Sequence, residues 1–167
     1  MSRYRARPMR EQDIEGIIAL DARITGASGP DRAGFWRGLL SLHTPQEMDE
    51  EEGRGARTPP APHLCHIVES LNGEGRGTLA GFIIGDVQSW QFGIPRHGRI
   101  VAIGVHPDHR RDRIGSQLVD ALLATFRKMS LPFVHCLARP GDPLSDFFRS
   151  AGFSGSGFET LEKRLEK

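Results

Sequence analysis

The chain has little cysteine, no long apolar run and almost no net charge. Its 167 residues include two cysteines, Cys65 and Cys136, which form no CxxC pair. This usage argues against a zinc site or a disulfide framework and favours two free, buried thiols in a reducing compartment. No apolar run approaches the roughly 18 residues of a transmembrane helix. Because 22 Lys and Arg face 21 Asp and Glu, the net charge is +1, and no broad field attracts nucleic acid or an anionic membrane.

The chain is long enough for one hydrophobic core. Domains usually contain about 100–200 residues, so we predict a single domain over residues 1–167. The basic N-terminus is not followed by the apolar segment of a secretory signal, which favours a cytoplasmic location. Residues 44–63 contain an acidic run and several prolines but almost nothing apolar. This composition predicts a flexible loop within the domain.

Hydrophobic spacing predicts a succession of helices and strands. Helical spacing occurs around residues 14–21, 35–40, 114–129 and 144–150, and extended segments lie at residues 4–7, 64–70, 78–88, 99–105 and 133–137. The Asn72-Gly73 pair favours an antiparallel hairpin between the second and third strands. Residues 99–105 predict a strand buried on both faces, with odd-numbered side chains on one face. The tail, residues 159–167, is helical by propensity alone.

One stretch, VHPDHRRDRIGSQL at residues 105–118, carries the chemistry. It joins a buried strand to an amphipathic helix through a tight turn, so several backbone N–H groups at the helix N-terminus lack intrahelical partners and favour an anion. Gly115 allows close backbone approach, and Ser116 offers a hydroxyl. Three cationic side chains accompany the turn: Arg110, Arg111 and Arg113. The stretch therefore predicts a phosphate-binding loop.

This stretch resembles the pyrophosphate loop of the GNAT superfamily of acyl-CoA-dependent N-acyltransferases, Val-x-Pro-x-x-(Arg/Gln)-x-x-Gly-x-(Gly/Ala). Val105, Pro107, Arg110 and Gly115 match that pattern, and Arg113 occupies the position of its middle glycine. The order of the predicted elements also follows the family. A run of Asp-Phe-Phe-Arg-Ser-Ala-Gly-Phe near the C-terminus resembles its last helix and Gly-Phe ending, so the resemblance covers nearly the whole chain.

The resemblance implies an α/β (α+β) fold with a mixed, mostly antiparallel sheet flanked by helices. Its central strands, residues 100–105 and 133–137, would splay apart, and the tail would form a final strand because sheet pairing can override propensity. The pantetheine arm of acetyl-CoA would lie in the gap and pair with backbone groups of Ile103 and Val105. The implied phosphate-binding residues are Arg110, Arg111, Asp112, Arg113, Ile114, Gly115 and Ser116.

The implied reaction is acetyl transfer from acetyl-CoA to a primary amine, without a metal. Many family members use a tyrosine of the last helix as the acid, but Phe148 occupies that position here. A nearby hydroxyl such as Ser145, a water molecule or direct departure of the thiolate must therefore serve instead. The family's carboxylate positions hold no acid in this chain, so Asp86 is the base considered, with Glu69 as a weaker choice. The only tyrosine is Tyr4.

Two other groups of residues suggest different chemistry. Cys136 adjoins His135, but no His/Asp arrangement points to a nucleophilic cysteine. His106, Asp108 and His109 are metal-ligand types, yet they lie in a turn that phosphate binding already explains.

The acceptor is not determined by the sequence. A small-molecule or peptide amine is expected, including a protein N-terminus or a lysine, with residues 44–63 and 89–96 shaping the choice. Because the usual tyrosine and carboxylates are missing, a catalytically silent CoA-binding module is an alternative. RNA binding through the arginine cluster is a further one, although no nucleic-acid or membrane partner is expected. The resemblance is compatible with a homodimer.

Overall fold

The computed structural model describes residues 3–26, 30–41, 64–71, 77–89 and 93–165. It divides into two compact units, Met1–Cys136 and Leu137–Lys167. The predicted loop at residues 44–63 and the Asn72-Gly73 turn lie outside the described residues. The prediction of a single domain over residues 1–167 stays a prediction.

The first unit contains most of the secondary structure. Its helices and strands are β1 (Tyr4–Pro8), α1 (Ile14–Thr25), α2 (Pro30–Ser41), β2 (Cys65–Ser70), β3 (Leu79–Gln88), β4 (His97–Val105), α3 (Ile114–Lys128) and β5 (Val134–His135). The second unit contains α4 (Pro143–Ser150). These elements confirm the predicted helices and strands in type and order, although β5 is shorter than its predicted segment.

The tail differs from both expectations. Residues 158–165 form neither a helix nor a strand, so the helix expected from propensity and the strand implied by the resemblance are both wrong over these residues. Phe158, Leu161 and Leu165 are exposed. A short segment with no packed apolar face gains too little from helix formation to offset the cost of nucleation.

The sheet has five strands in the order β1-β2-β3-β4-β5. The first three pairings are antiparallel, and β4 pairs with β5 in parallel. This confirms the predicted mixed, mostly antiparallel sheet. Side chains of β3 alternate between two packed faces, because adjacent residues of a strand point to opposite sides.

Helix α3 packs on one face of the sheet, directly above three strand glycines. A Cβ on Gly98 would lie 2.8 Å from the ring of Phe126, and one on Gly85 would lie 2.8 Å from the same ring. A Cβ on Gly81 would lie 2.9 Å from Ile114. Five side chains of the helix are buried: Ile114, Leu118, Val119, Leu122 and Phe126. The glycines therefore set the distance between helix and sheet.

Helices α1 and α2 contribute to a second core on the opposite face. It contains Met9, Ile17, Leu20, Trp36, Leu40, Cys65, Ile67, Phe82 and Ile84. Asp21 of α1 joins the two helices, because its carboxylate accepts hydrogen bonds from Trp36 Nε1 at 2.7 Å and from Arg32 Nη2 at 2.8 Å.

A β-bulge changes the faces of β4. The pairing shifts between Ile84 and Gly85, which oppose Ala102 and Ile100. A Cβ on Gly98 would meet Phe126 of α3, whereas one on Gly104 would meet Ile24 of α1. The predicted simple alternation is therefore wrong, because the extra residue in the bulge moves the later side chains to the other face.

Burial on both faces was also predicted for the wrong strand. Arg99 and Val101 of β4 are exposed, whereas the middle of β3 is buried continuously. The physical reason is that both faces of β3 are covered: Gly81 and Gly85 lie against α3, and Phe82 and Ile84 pack in the core with α1 and α2.

Candidate active site

The two central strands separate after a short contact. β4 and β5 pair at two positions, Gly98 with Val134 and Arg99 with His135. The Gly98 N–H donates to the Phe133 carbonyl at 3.0 Å. Within the described ranges, no strand pairs with residues 100–105 on this side of β4. The predicted splaying of the central strands is thus confirmed, and it leaves an open strand edge.

The pairing pattern fixes which backbone groups face this edge. The His106 N–H donates to the Ala80 carbonyl of β3 at 2.9 Å. Hydrogen-bonded residues alternate along an antiparallel strand, so Gly104 also turns its backbone groups toward β3. The N–H and C=O groups of Ile103 and Val105 consequently face the open edge. An extended ligand with amide groups would find two residues ready to pair with it.

The open edge leads directly into the predicted phosphate loop. After a 3-10 turn at Pro107–His109, Arg111 and Arg113 adopt φ angles of 77° and 58°. Positive φ is costly for residues with a Cβ, by about 1–2 kcal/mol. The conformation explains why the GNAT pattern has glycine where this chain has Arg113. The arginine adopts the glycine-like backbone conformation.

The N-terminus of α3 presents unpaired backbone donors. The first intrahelical bond runs from the Gln117 N–H to the Arg113 carbonyl at 3.1 Å, so the N–H groups of Ile114, Gly115 and Ser116 precede the helical ladder. Ile114 is buried, whereas Ser116 is exposed. These donors and the helix dipole together favour an anion.

The cations of the loop are also available. Arg110, Arg111 and Arg113 are exposed, and in the part of the chain that the structure describes no carboxylate forms a salt bridge with them. Six other arginines in the described ranges are paired with carboxylates: Arg5, Arg7, Arg32, Arg37, Arg99 and Arg164. The loop therefore keeps positive charge that can be neutralised by a phosphate.

Tyr4 of β1 lies beneath this loop. Its hydroxyl donates to Asp112 Oδ2 at 2.5 Å and lies 3.1 Å from His109 Nδ1. The ring is buried, with 7% of its surface exposed. No local signal in the sequence predicts the contact between Tyr4 and Asp112, because the two residues lie 108 positions apart.

The two carboxylates considered as bases are both held by arginines. Arg99 donates to Asp86 through Nε at 3.0 Å and through Nη2 at 2.5 Å. Glu69 accepts hydrogen bonds from Arg5 and Arg7. Burial raises the pKa of Glu69, but the hydrogen bonds from Arg5 and Arg7 outweigh burial and hold that pKa below its ordinary value. Both oxygens of Asp86 are already hydrogen-bonded to Arg99.

Two histidines lie where β4 and β5 begin to separate, and sequence reasoning did not select them as a base. The rings of His97 and His135 are 4.6 Å apart, and His97 stacks on Phe133. His97 Nδ1 donates to the Pro95 carbonyl at 2.8 Å. Burial, assisted by the nearby His97, lowers the pKa of His135. A neutral imidazole of this kind can accept a proton near pH 7.

The second unit contains the residue considered as the acid. Ser145 lies in the first turn of α4, and its N–H donates to the Asp142 carbonyl at 2.8 Å. The Asp142 side chain caps the same helix by accepting from the Leu144 N–H at 2.8 Å. Phe148 is buried and packs on Phe153. The position of the usual tyrosine thus holds a hydrocarbon side chain.

Three further features bear on the alternatives. Cys65 and Cys136 are both free thiols; Cys65 is buried as expected, whereas Cys136 is only partly buried. Among the described residues, no cluster of three His, Cys, Asp or Glu side chains has the arrangement of a metal site. No helix in these ranges has both the length and the apolar character needed to cross a membrane.

Comparison with known proteins places this geometry in a family. The chain matches the GNAT acetyltransferase family over residues 34–153, which is more than half of its length. It therefore belongs to the GNAT acetyltransferase family. A search of curated proteins found no significant match.

Solved structures share the fold at low sequence identity. A ribosomal-protein-alanine N-acetyltransferase from Brucella melitensis biovar Abortus 2308 is 18% identical, with a TM-score of 0.64 over 98% of this chain and 99% of that one. The aminoglycoside acetyltransferase AAC(6')-Iy, solved with a CoA-containing bisubstrate analogue, is 13% identical, with a TM-score of 0.65 over 98% and 99% of the two chains. A transcriptional regulator from Bacillus halodurans C-125 is 15% identical, with a TM-score of 0.66 over 97% and 99%. At these identities the likeness shows the fold alone.

Proposed function

We propose that this protein transfers the acetyl group of acetyl-CoA to a primary amine. The observation that carries the proposal is the open edge of β4, which leads into a helix N-terminus beside three arginines that have no carboxylate partner among the described residues. A CoA thioester has the matching parts, because its pyrophosphate is anionic and its pantetheine arm contains amides. Family membership and the CoA-bound relative support this assignment.

Binding would use the backbone as much as the side chains. The pyrophosphate accepts hydrogen bonds from the N–H groups of Ile114, Gly115 and Ser116 and is neutralised by the loop arginines. The pantetheine amides pair with Ile103 and Val105 along the edge of β4. This arrangement directs the thioester toward the place where β4 and β5 meet.

The chemistry requires a neutral amine at the thioester carbonyl. A C–N bond forms, the tetrahedral intermediate collapses and the C–S bond breaks, so the acetyl amide and CoA thiolate result. The amine loses one proton to a base, and the thiolate gains one from an acid or from water. Positioning supplies much of the acceleration, since the two reactants become one complex.

The base and the acid are assigned as proposals. His135 is favoured over Asp86 as the base, because its lowered pKa keeps it neutral, whereas both oxygens of Asp86 are bound by Arg99. Ser145 is the proposed proton donor to the thiolate. Two alternative functions are a CoA-binding module without turnover and an RNA-binding protein. A homodimer is a separate proposal about the oligomeric state.

Two measurements on the purified chain test the function. Calorimetry with acetyl-CoA and CoA tests binding, and release of free CoA thiol tests turnover with a panel of amines: an aminoglycoside, a polyamine, a lysine peptide and a peptide with a free N-terminal alanine. Micromolar binding with amine-dependent thiol release supports the transferase. Binding without thiol release above the uncatalysed rate favours the silent module, and absence of binding contradicts the proposal.

A further inference from the structure

The loop carries one acidic residue among its cations. Asp112 lies between Arg111 and Arg113 in the chain, and both arginines have positive φ angles. A carboxylate at this point of the loop can weaken phosphate binding in two ways. It can neutralise a neighbouring guanidinium, or it can approach the anion that the loop binds and repel it.

The Asp112 carboxylate is instead hydrogen-bonded to Tyr4. Its Oδ2 accepts the hydroxyl proton of Tyr4 at 2.5 Å. Because that proton goes to the carboxylate, the Tyr4 oxygen accepts from the Nδ1–H of His109, at 3.1 Å. The rings of Tyr4 and His109 also meet edge to face, with centroids 5.6 Å apart. A chain of two hydrogen bonds thus holds the carboxylate on a buried strand residue.

We propose that Tyr4 is a positioning residue that holds the Asp112 carboxylate away from bound phosphate and from the loop arginines. The inference deepens the proposed function and rests on it, since it concerns the same phosphate loop. In this arrangement the backbone of Asp112 contributes to the phosphate loop, while its side chain is held by the Tyr4 hydroxyl. The hydrogen bond to Asp112 raises the pKa of Tyr4, so the hydroxyl remains a donor throughout the neutral range.

The test is a double-mutant cycle with Tyr4→Phe and Asp112→Asn. The phenylalanine keeps the buried ring and removes only the hydroxyl, whereas the asparagine removes only the charge. Calorimetry with CoA and with inorganic pyrophosphate, steady-state kinetics and thermal unfolding are recorded for the wild type, both single variants and the double variant.

We expect Tyr4→Phe to weaken CoA and pyrophosphate binding about fivefold and to raise KM for acetyl-CoA equally, with kcat within twofold. Asp112→Asn binds CoA and pyrophosphate at least as tightly as the wild type, because it removes a negative charge from the loop and keeps the backbone N–H. The double variant recovers to the level of Asp112→Asn, since no misplaced charge remains. The deficit of Tyr4→Phe also shrinks at high salt because the repulsion is screened.

Three outcomes overturn the inference. Tyr4→Phe that binds like the wild type shows that the hydroxyl is not needed. A double variant as weak as Tyr4→Phe shows that loop order, and not the carboxylate charge, causes the loss. A wild-type protein that binds neither CoA nor pyrophosphate overturns both this inference and the proposed function, whereas the first two outcomes leave the proposed function intact.

Discussion

Arg99 of β4 binds both carboxylate oxygens of Asp86 of β3 on the sheet face that also carries His135. The three residues share this face because Arg99 is the register partner of both others. The arrangement separates two roles. Both carboxylate oxygens of Asp86 are hydrogen-bonded to Arg99, whereas His135 lies beside the point where β4 and β5 separate.

We predict that His135→Gln removes the acidic inflection of the pH profile of kcat/KM, whereas Asp86→Asn keeps it. The pKa of His135 is lowered by burial and by His97, so the wild-type inflection should lie below the ordinary histidine value of about 6.5. Loss of activity in proportion to thermal destabilisation, with an unchanged profile, would contradict the role of His135. His97→Gln is the matched control for ring packing.

We predict that Gly115→Val weakens CoA binding far more than Ser116→Ala. The valine puts branched carbons where the pyrophosphate must approach the backbone, whereas the alanine removes one hydrogen bond of roughly 0.5–1.5 kcal/mol. Calorimetry on both variants checks the prediction, with circular dichroism to confirm that α3 is intact. Equal losses would count against backbone binding at this helix N-terminus.

We predict that Asp21→Asn lowers the free energy of unfolding by about 1–3 kcal/mol. Burial raises the pKa of Asp21, but hydrogen bonds from Arg32 and Trp36 outweigh burial and hold the pKa below its ordinary value. The folded protein therefore binds fewer protons than the unfolded chain near pH 4. This stabilisation is present at neutral pH and is lost as the pH falls through the folded pKa.

Urea unfolding between pH 3 and pH 7 measures this dependence. The wild type should lose stability on acidification, and the difference between wild type and Asp21→Asn should shrink at the acidic end. A difference that is constant over the whole range would show that the charge of Asp21 is not responsible.

We predict that Gly98→Ala lowers the free energy of unfolding by about 1–3 kcal/mol, as overpacking does. The new methyl group would lie 2.8 Å from the ring of Phe126, so α3 or β4 must shift. Gly34→Ala in α2 is the control, because its methyl group meets no described atom within 4 Å and alanine favours the helix by about 0.5–1 kcal/mol. Opposite signs of the two changes in denaturant midpoint are expected, and equal changes would contradict the close helix–sheet contact.

We predict that Cys65 does not react with a thiol reagent at pH 8 until the protein unfolds. Burial raises its pKa to about 12, so only about one molecule in ten thousand carries the thiolate at that pH. Burial also raises the pKa of Cys136. Cys136→Ala should therefore turn over as fast as the wild type. Loss of turnover with intact CoA binding would support a nucleophilic role for Cys136.

Local sequence was sufficient to predict the order of the elements and the family, and it marks residues 105–118 as a candidate phosphate loop. Periodicity identified α1 and α3 because a buried helical face repeats along a few turns of chain. The loop was recognisable because Val105, Pro107, Arg110 and Gly115 lie close together in sequence, and each has a role that is local to the loop. These signals are short in range, so they survive without knowledge of the rest of the chain.

The tertiary structure alone decided where strand faces change and which side chains meet. The bulge in β4 depends on pairing with β3, so the alternation of residues 99–105 could not show it. The contact of Tyr4 with Asp112, the ion pair of Asp86 with Arg99 and the meeting of His97 with His135 all join separate strands or loops. These contacts form only after the sheet has brought distant residues together, so no local sequence pattern predicts them.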